Sequence, residues 1–144
     1  MIAYLDTSAL LKLYVEEPGS DLTWQAVGGV ALATCRVTWV GASAALARRE
    51  RELPASALAW SAARQALAQD WPSLRVVDVT QALVLKAGEL AEAFALRACD
   101  AVHLAAAQTV HLRAGEPLRF VCFDHCLNRA ARLLGLALAD GVDT

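Results

Sequence analysis

The sequence predicts a three-layer α/β fold in which a central parallel sheet of four to five strands is flanked by helices. Two observations predict it. Short apolar runs alternate with longer helical patterns from one end of the chain to the other, an order that implies parallel strands joined by helical crossovers. No linker-like stretch, repeat or low-complexity segment interrupts that order, so the 144 residues read as one domain with one sizeable core.

The elements follow in sequence. Ile2 to Leu5 is a buried strand that delivers Asp6 at its C-terminal end, and a helical pattern runs from Ala9 to Val15. Glu16-Glu17-Pro18-Gly19-Ser20 breaks it, and Ser20 or Asp21 is placed to cap a second helix through Val27. Val30 to Cys35 is a second strand, Thr38 to Glu52 a strong helix, and Pro54 starts another to about Asp70. Leu74 to Val79 is a Val-rich third strand, and Thr80 caps a helix to about Ala95. Cys99-Asp100 opens a helix through about Leu112, Leu118 to Phe123 is a fourth strand, and Asp124 to Leu134 a last helix stopped by Gly135. Leu136 to Ala139 adds an edge strand.

Composition narrows the function. Hydrophobic residues make up 57% of the chain, much of it Ala and Leu, which favours helix. No apolar run approaches the roughly 20 residues of a membrane span. No basic region precedes an apolar one at the N-terminus, so a soluble cytoplasmic protein is the expectation. The net charge of −2 offers no bulk attraction to nucleic acid, and any RNA contact must rest on local Arg groups and bound metal. Four cysteines, Cys35, Cys99, Cys122 and Cys126, read as reduced core thiols. Cys122, His125 and Cys126 lack the second matching pair of a zinc site.

Chemistry in such sheets gathers beyond the carboxyl ends of the strands. Asp6 and Asp124 fall there, and Asp100 begins a helix just after Leu96-Arg97-Ala98-Cys99. Each alone is accounted for more simply as a helix cap. Three carboxylates at convergent positions beside apolar residues instead form a hard-oxygen cluster suited to Mg²⁺ or Mn²⁺. Asp6 as the nucleophile of a phosphatase is the distant alternative, and Ser8 stands where that chemistry wants a second aspartate.

These same residues carry a family resemblance. Tyr4-Leu5-Asp6-Thr7-Ser8-Ala9-Leu10-Leu11-Lys12-Leu13-Tyr14 resembles the opening motif of PIN domains. Leu96-Arg97-Ala98-Cys99-Asp100-Ala101-Val102-His103-Leu104-Ala105-Ala106-Ala107 resembles their third motif, and Phe120-Val121-Cys122-Phe123-Asp124-His125-Cys126-Leu127 their fourth. The short form is similar to VapC-type toxins of bacterial toxin–antitoxin pairs. That resemblance implies a PIN-like fold, metal-dependent endoribonuclease activity, a cognate antitoxin partner and a homodimer. It also implies that Thr7 and Ser8 orient Asp6 or a metal-bound water, although capping accounts equally for Ser8.

One position departs from the pattern. The family's second motif places a glutamate near the start of the third helix, where this chain has Val37-Thr38-Trp39-Val40-Gly41. Gly41 stands where the acid belongs, at a cost of about 1 kcal/mol in helix propensity relative to Ala. Glu50 points to the opposite side of that helix, and Glu52 returns to the same face roughly 16 Å away. Glu89 is a looser substitute. The expected site is therefore Asp6, Asp100 and Asp124, with either turnover or a binding role left open by Gly41. Arg48, Arg49 and Arg51 form the best basic cluster, for which a solvated face and RNA phosphate contact are equal accounts, as they are for Arg97. His103 reads as a hydrogen-bonded packing histidine. The four tryptophans read as core or dimer packing.

Overall fold

The computed structural model describes residues 1–142. Five parallel strands form one sheet: β1 (Ile2–Leu5), β2 (Ala31–Cys35), β3 (Arg75–Val77), β4 (Leu118–Val121) and β5 (Ala137–Leu138), in the order β3-β2-β1-β4-β5. Seven α-helices accompany them among the described residues: α1 (Thr7–Leu11), α2 (Ser20–Val27), α3 (Val37–Glu52), α4 (Ala57–Asp70), α5 (Gln81–Phe94), α6 (Ala98–Ala114) and α7 (His125–Leu133).

Every residue of β1 is fully buried. Side chains alternate across a strand, so Ile2 and Tyr4 enter one apolar cluster with Leu104, Phe120 and Leu127 from the α5–α6–α7 side. Ala3 and Leu5 enter the other, with Leu10, Leu46, Trp60 and Leu67 from α1, α3 and α4. Opposite Tyr4 in the β1–β4 register stands Phe120, and their rings stack with centroids 5.8 Å apart. These two cores make the three layers that the sequence predicts. Among the described residues no helix is long and apolar enough to cross a membrane.

Several boundaries differ from the sequence expectation. The first helix is a short one, and the residues after Leu11 turn away before the Glu16–Gly19 break. Neither Ser20 nor Asp21 caps α2; Gly19 does, at φ 93, and a Cβ there would meet the Phe123 ring at 2.9 Å. Ser20 is buried instead, its hydroxyl donating to the Val15 carbonyl and accepting from the Glu17 N–H, so it clamps that turn. Pro54 opens a short 3₁₀ turn, and α4 follows it. The third strand keeps only three of the expected residues, because it lies at the open edge of the sheet where Val79 meets solvent.

Of the cysteines, all free, Cys35 and Cys122 are buried as expected, whereas Cys99 and Cys126 are exposed. The tryptophans divide too. Trp60 is core and donates to the Leu53 carbonyl, Trp39 and Trp71 pack edge to face at the surface, and Trp24 is exposed.

Candidate active site

Asp6 follows β1 and Asp124 follows β4, its neighbour in the sheet, so the fold itself sets two carboxylates side by side. Both cap the helix that comes next: Asp6 Oδ1 accepts from the Ala9 N–H at 2.8 Å, and Asp124 Oδ1 accepts from the Leu127 N–H at 2.8 Å. Capping and clustering are thus one arrangement, because each cap occupies one oxygen. Asp100 sits in the first turn of α6 and caps nothing.

The three aspartates line one cavity of about 420 Å³ together with Thr7, Ser8, Arg49, Arg97 and His103. A larger cavity, about 650 Å³, lies beneath β3 between α5 and α6, and Asp78 is its one acid among the described residues. The acids converge on the smaller. Exposure rises across it, from 5% for Asp6 to side-chain values of 18% for Asp100 and 39% for Asp124. Ser8 donates to the Asp6 carboxylate at 3.2 Å and 3.4 Å, which orients it. Among the described residues no ion pair reaches Asp6, whereas Arg97 Nε donates to Asp100 Oδ2 at 3.0 Å and its Nη2 lies 3.8 Å from Asp124 Oδ2.

Behind the acids runs a buried polar chain that the sequence only hints at. His103, already read as a hydrogen-bonded packing residue, contacts the Tyr4 hydroxyl through Nδ1 at 2.9 Å and the Thr7 hydroxyl through Nε2 at 3.0 Å. Burial lowers the His103 pKa, with Asp6 opposing the effect, and burial raises that of Tyr4 well above its ordinary value. Both are held neutral. Thr34, which donates to the Leu5 carbonyl at 2.8 Å and meets the Thr38 hydroxyl at 2.7 Å, secures the backbone just ahead of Asp6. A buried Thr pair spaced four residues apart across a strand–helix junction is the signal for it.

Gly41 lies against this chain. A Cβ built on it would stand 2.8 Å from Thr7 Cγ2 and 3.0 Å from Thr7 Oγ1. The position faces the cavity side, and Thr7 fills the room that a side chain would take. Glu50 and Glu52 are paired with Arg64 and Arg48, and Glu89 is exposed beside Lys86. None of the three lines the cavity.

The arginine cluster splits. Arg48 is 74% exposed on its ion pair with Glu52, and it does not line the acid cavity. Arg49 does line it, with one guanidinium nitrogen 2.6 Å from Glu17 and Nη1 buried without a partner. Glu17 is held as well by Lys12, whose ammonium lies over the Phe123 ring. This Glu17-centred clasp escaped the sequence reading.

A hard divalent ion fits the donor set in kind. Three carboxylates face one cavity, and a guanidinium already draws positive charge to two of them. Among the described residues no three His, Cys, Asp or Glu side chains are grouped closely enough to hold a metal as they stand. Cys122 is a buried free thiol whose pKa is raised far above the ordinary value, by burial first and then by Asp6.

Comparison with known proteins identifies the family and the fold. The PIN domain model matches residues 3–133. Ribonuclease VapC49 of Mycobacterium tuberculosis is 34% identical over 142 residues, covering 96% of this chain and 94% of the relative. Ribonuclease VapC46 of the same organism is 36% identical over 138 residues, covering 94% of each. Among solved structures, FitAcB from Neisseria gonorrhoeae superposes with a TM-score of 0.66 at 16% identity, over 97% of both chains. VapBC2 from Rickettsia felis, bound to a DNA fragment from its promoter, gives 0.62 at 14% identity, over 96% of this chain and 97% of that one. The chain belongs to the PIN-domain family.

Proposed function

We propose that residues 1–144 form one PIN-like domain acting as a metal-dependent endoribonuclease, the toxin half of a toxin–antitoxin pair in the cytoplasm. The observation that carries the reading is the convergence of Asp6, Asp100 and Asp124 on a single cavity. The relatives' designation as ribonucleases supports the reaction, and the toxin–antitoxin complexes among the structural neighbours support an antitoxin partner. A homodimer follows from the family resemblance.

Asp6, Asp100 and Asp124 would hold Mg²⁺ or Mn²⁺, which when bound polarises a phosphodiester and lowers the pKa of attacking water. The chain's own residues do the rest. Ser8 fixes the Asp6 carboxylate, and the neutral His103 holds Thr7 beside it. Arg49 and Arg97 present guanidinium donors at the cavity for RNA phosphate, a planar match to its oxygens. Arg48 lies outside that cavity and belongs to a solvated face.

Gly41 favours a second reading, in which the fold and partner surface persist and cleavage is impaired. The bare backbone there supplies no fourth carboxylate, and Thr7 occupies the space. One experiment separates the two: Mg²⁺- and Mn²⁺-dependent cleavage of a structured-RNA pool by the wild type, Asp6→Asn, Gly41→Glu and the double variant Thr7→Ser/Gly41→Glu. Metal-dependent cleavage by the wild type that vanishes in Asp6→Asn supports the nuclease. Cleavage confined to the two proteins that carry Gly41→Glu supports the impaired form, and silence from all four refutes a nuclease acting on that pool.

A further inference from the structure

Arg97 occupies an unfavourable place for a cation. It is the N-cap of α6, in extended conformation and without a side-chain capping bond. Positive charge at a helix N-terminus opposes the helix dipole, so helix stability gives no reason for it. The carboxylates do. Asp124 spends Oδ1 on its cap, and its other oxygen, Oδ2, lies 3.8 Å from Arg97 Nη2. Asp100 Oδ2 accepts from Arg97 Nε at 3.0 Å. One guanidinium thus shares oxygens of two of the three aspartates, while Asp6, deeper in the cavity, is left without an ion pair among the described residues.

We propose that Arg97 is a built-in competitor for the metal site, bridging Asp100 and Asp124 until a divalent ion displaces it. This deepens the metal-dependent reading above and rests on it. A divalent ion needs the same oxygens, and a guanidinium held among them repels it at short range. Nothing locks the bridge: the Arg97 side chain is 81% exposed, so the arm swings out to solvent without unpacking the core. Once displaced it stays tethered at the cavity rim, with its donors free for a phosphate oxygen. Mutual repulsion of Asp100 and Asp124 is relieved by the arginine in the metal-free protein and by the metal afterwards.

The test is calorimetric titration of Mn²⁺ into the full chain as wild type, Arg97→Gln and Asp6→Asn. Alongside it, the Arg97 Nε–H NMR signal is followed on titration with diamagnetic Mg²⁺, assigned by its loss in Arg97→Gln. Removing an exposed ion-pair partner is expected to tighten Mn²⁺ binding about two- to fivefold. Mg²⁺ should move the Nε–H signal to the position it has in metal-free Asp100→Asn, and Asp6→Asn should bind Mn²⁺ weakly. Equal or weaker Mn²⁺ affinity in Arg97→Gln, or an Nε–H signal unmoved at saturating Mg²⁺, overturns the competitor while leaving the metal site intact. Absence of Mn²⁺ binding in both wild type and Arg97→Gln overturns the metal reading, and the competitor with it.

Discussion

Replacing Gly41 by alanine sets two known effects against each other. Helix propensity favours the change by about 1 kcal/mol. The new Cβ, however, would stand 2.8 Å from Thr7 Cγ2 and 3.0 Å from its Oγ1. Thr7 is not free to yield, since its hydroxyl is bonded to a buried His103 that Tyr4 holds from the other side. Overpacking of this kind costs about 1–3 kcal/mol, and rotating Thr7 away forfeits a hydrogen bond of about 1 kcal/mol. We expect Gly41→Ala to be destabilised by about 1 kcal/mol net, a fall in Tm of about 2–5 °C for a domain of this size. Urea denaturation of wild type, Gly41→Ala and Thr7→Ser/Gly41→Ala measures it. The serine removes the methyl group at the shortest contact and keeps the hydroxyl, so the double variant should recover most of the loss. A Gly41→Ala protein more stable than wild type by about 1 kcal/mol would refute the steric argument and leave propensity as the only effect. Glutamate at this position carries the same Cβ, and for that reason the cleavage assay also combines it with Thr7→Ser.

Two further outcomes follow from the same geometry. Asp6→Asn should stay within about 1 kcal/mol of wild type, because Asn caps a helix as well as Asp does, whereas Asp6→Ala should lose about 1–2 kcal/mol; equal losses in urea denaturation would show that capping contributes little there. His103 makes stability pH-dependent. Its folded pKa lies below that of the unfolded chain, so the unfolded state binds the proton first. Its contribution is complete above the unfolded pKa of about 6.5 and is lost as pH falls below it, with a slope of up to about 1.4 kcal/mol per unit. The component of that slope absent from His103→Gln is the readout, and identical slopes in the two proteins would contradict a neutral buried histidine.

The sequence is most legible where one residue type has one physical use. An apolar run with an aspartate at its end identifies β1 and Asp6, and the Asp100 and Asp124 contexts place the other acids in the same cavity. It is least legible where a side chain serves a distant partner. Ser20 has the composition of a cap but is drawn inward by the Val15 carbonyl. Arg48 and Arg49 are adjacent in sequence and face different partners, because neighbours on a helix point about 100° apart. The Glu17 clasp joins residues 32 positions apart, which no local pattern reveals. Gly41 is visible as a missing acid, but its contact with Thr7 depends on how α1 and α3 pack.

The register of the sheet bears on when the acid cavity can form during synthesis. Ile2 pairs with Ala31 on one side and Leu118 on the other. The first carboxylate therefore leaves the ribosome long before the strand that carries its neighbour Asp124. A nascent chain halted anywhere short of β4 holds Asp6 beside an unfilled seat in the sheet, with β1 lacking one of its two flanking strands. Assembly of the acid cavity thus waits for β4 and the residues just after it, and a copy cut short before that strand carries no such cavity.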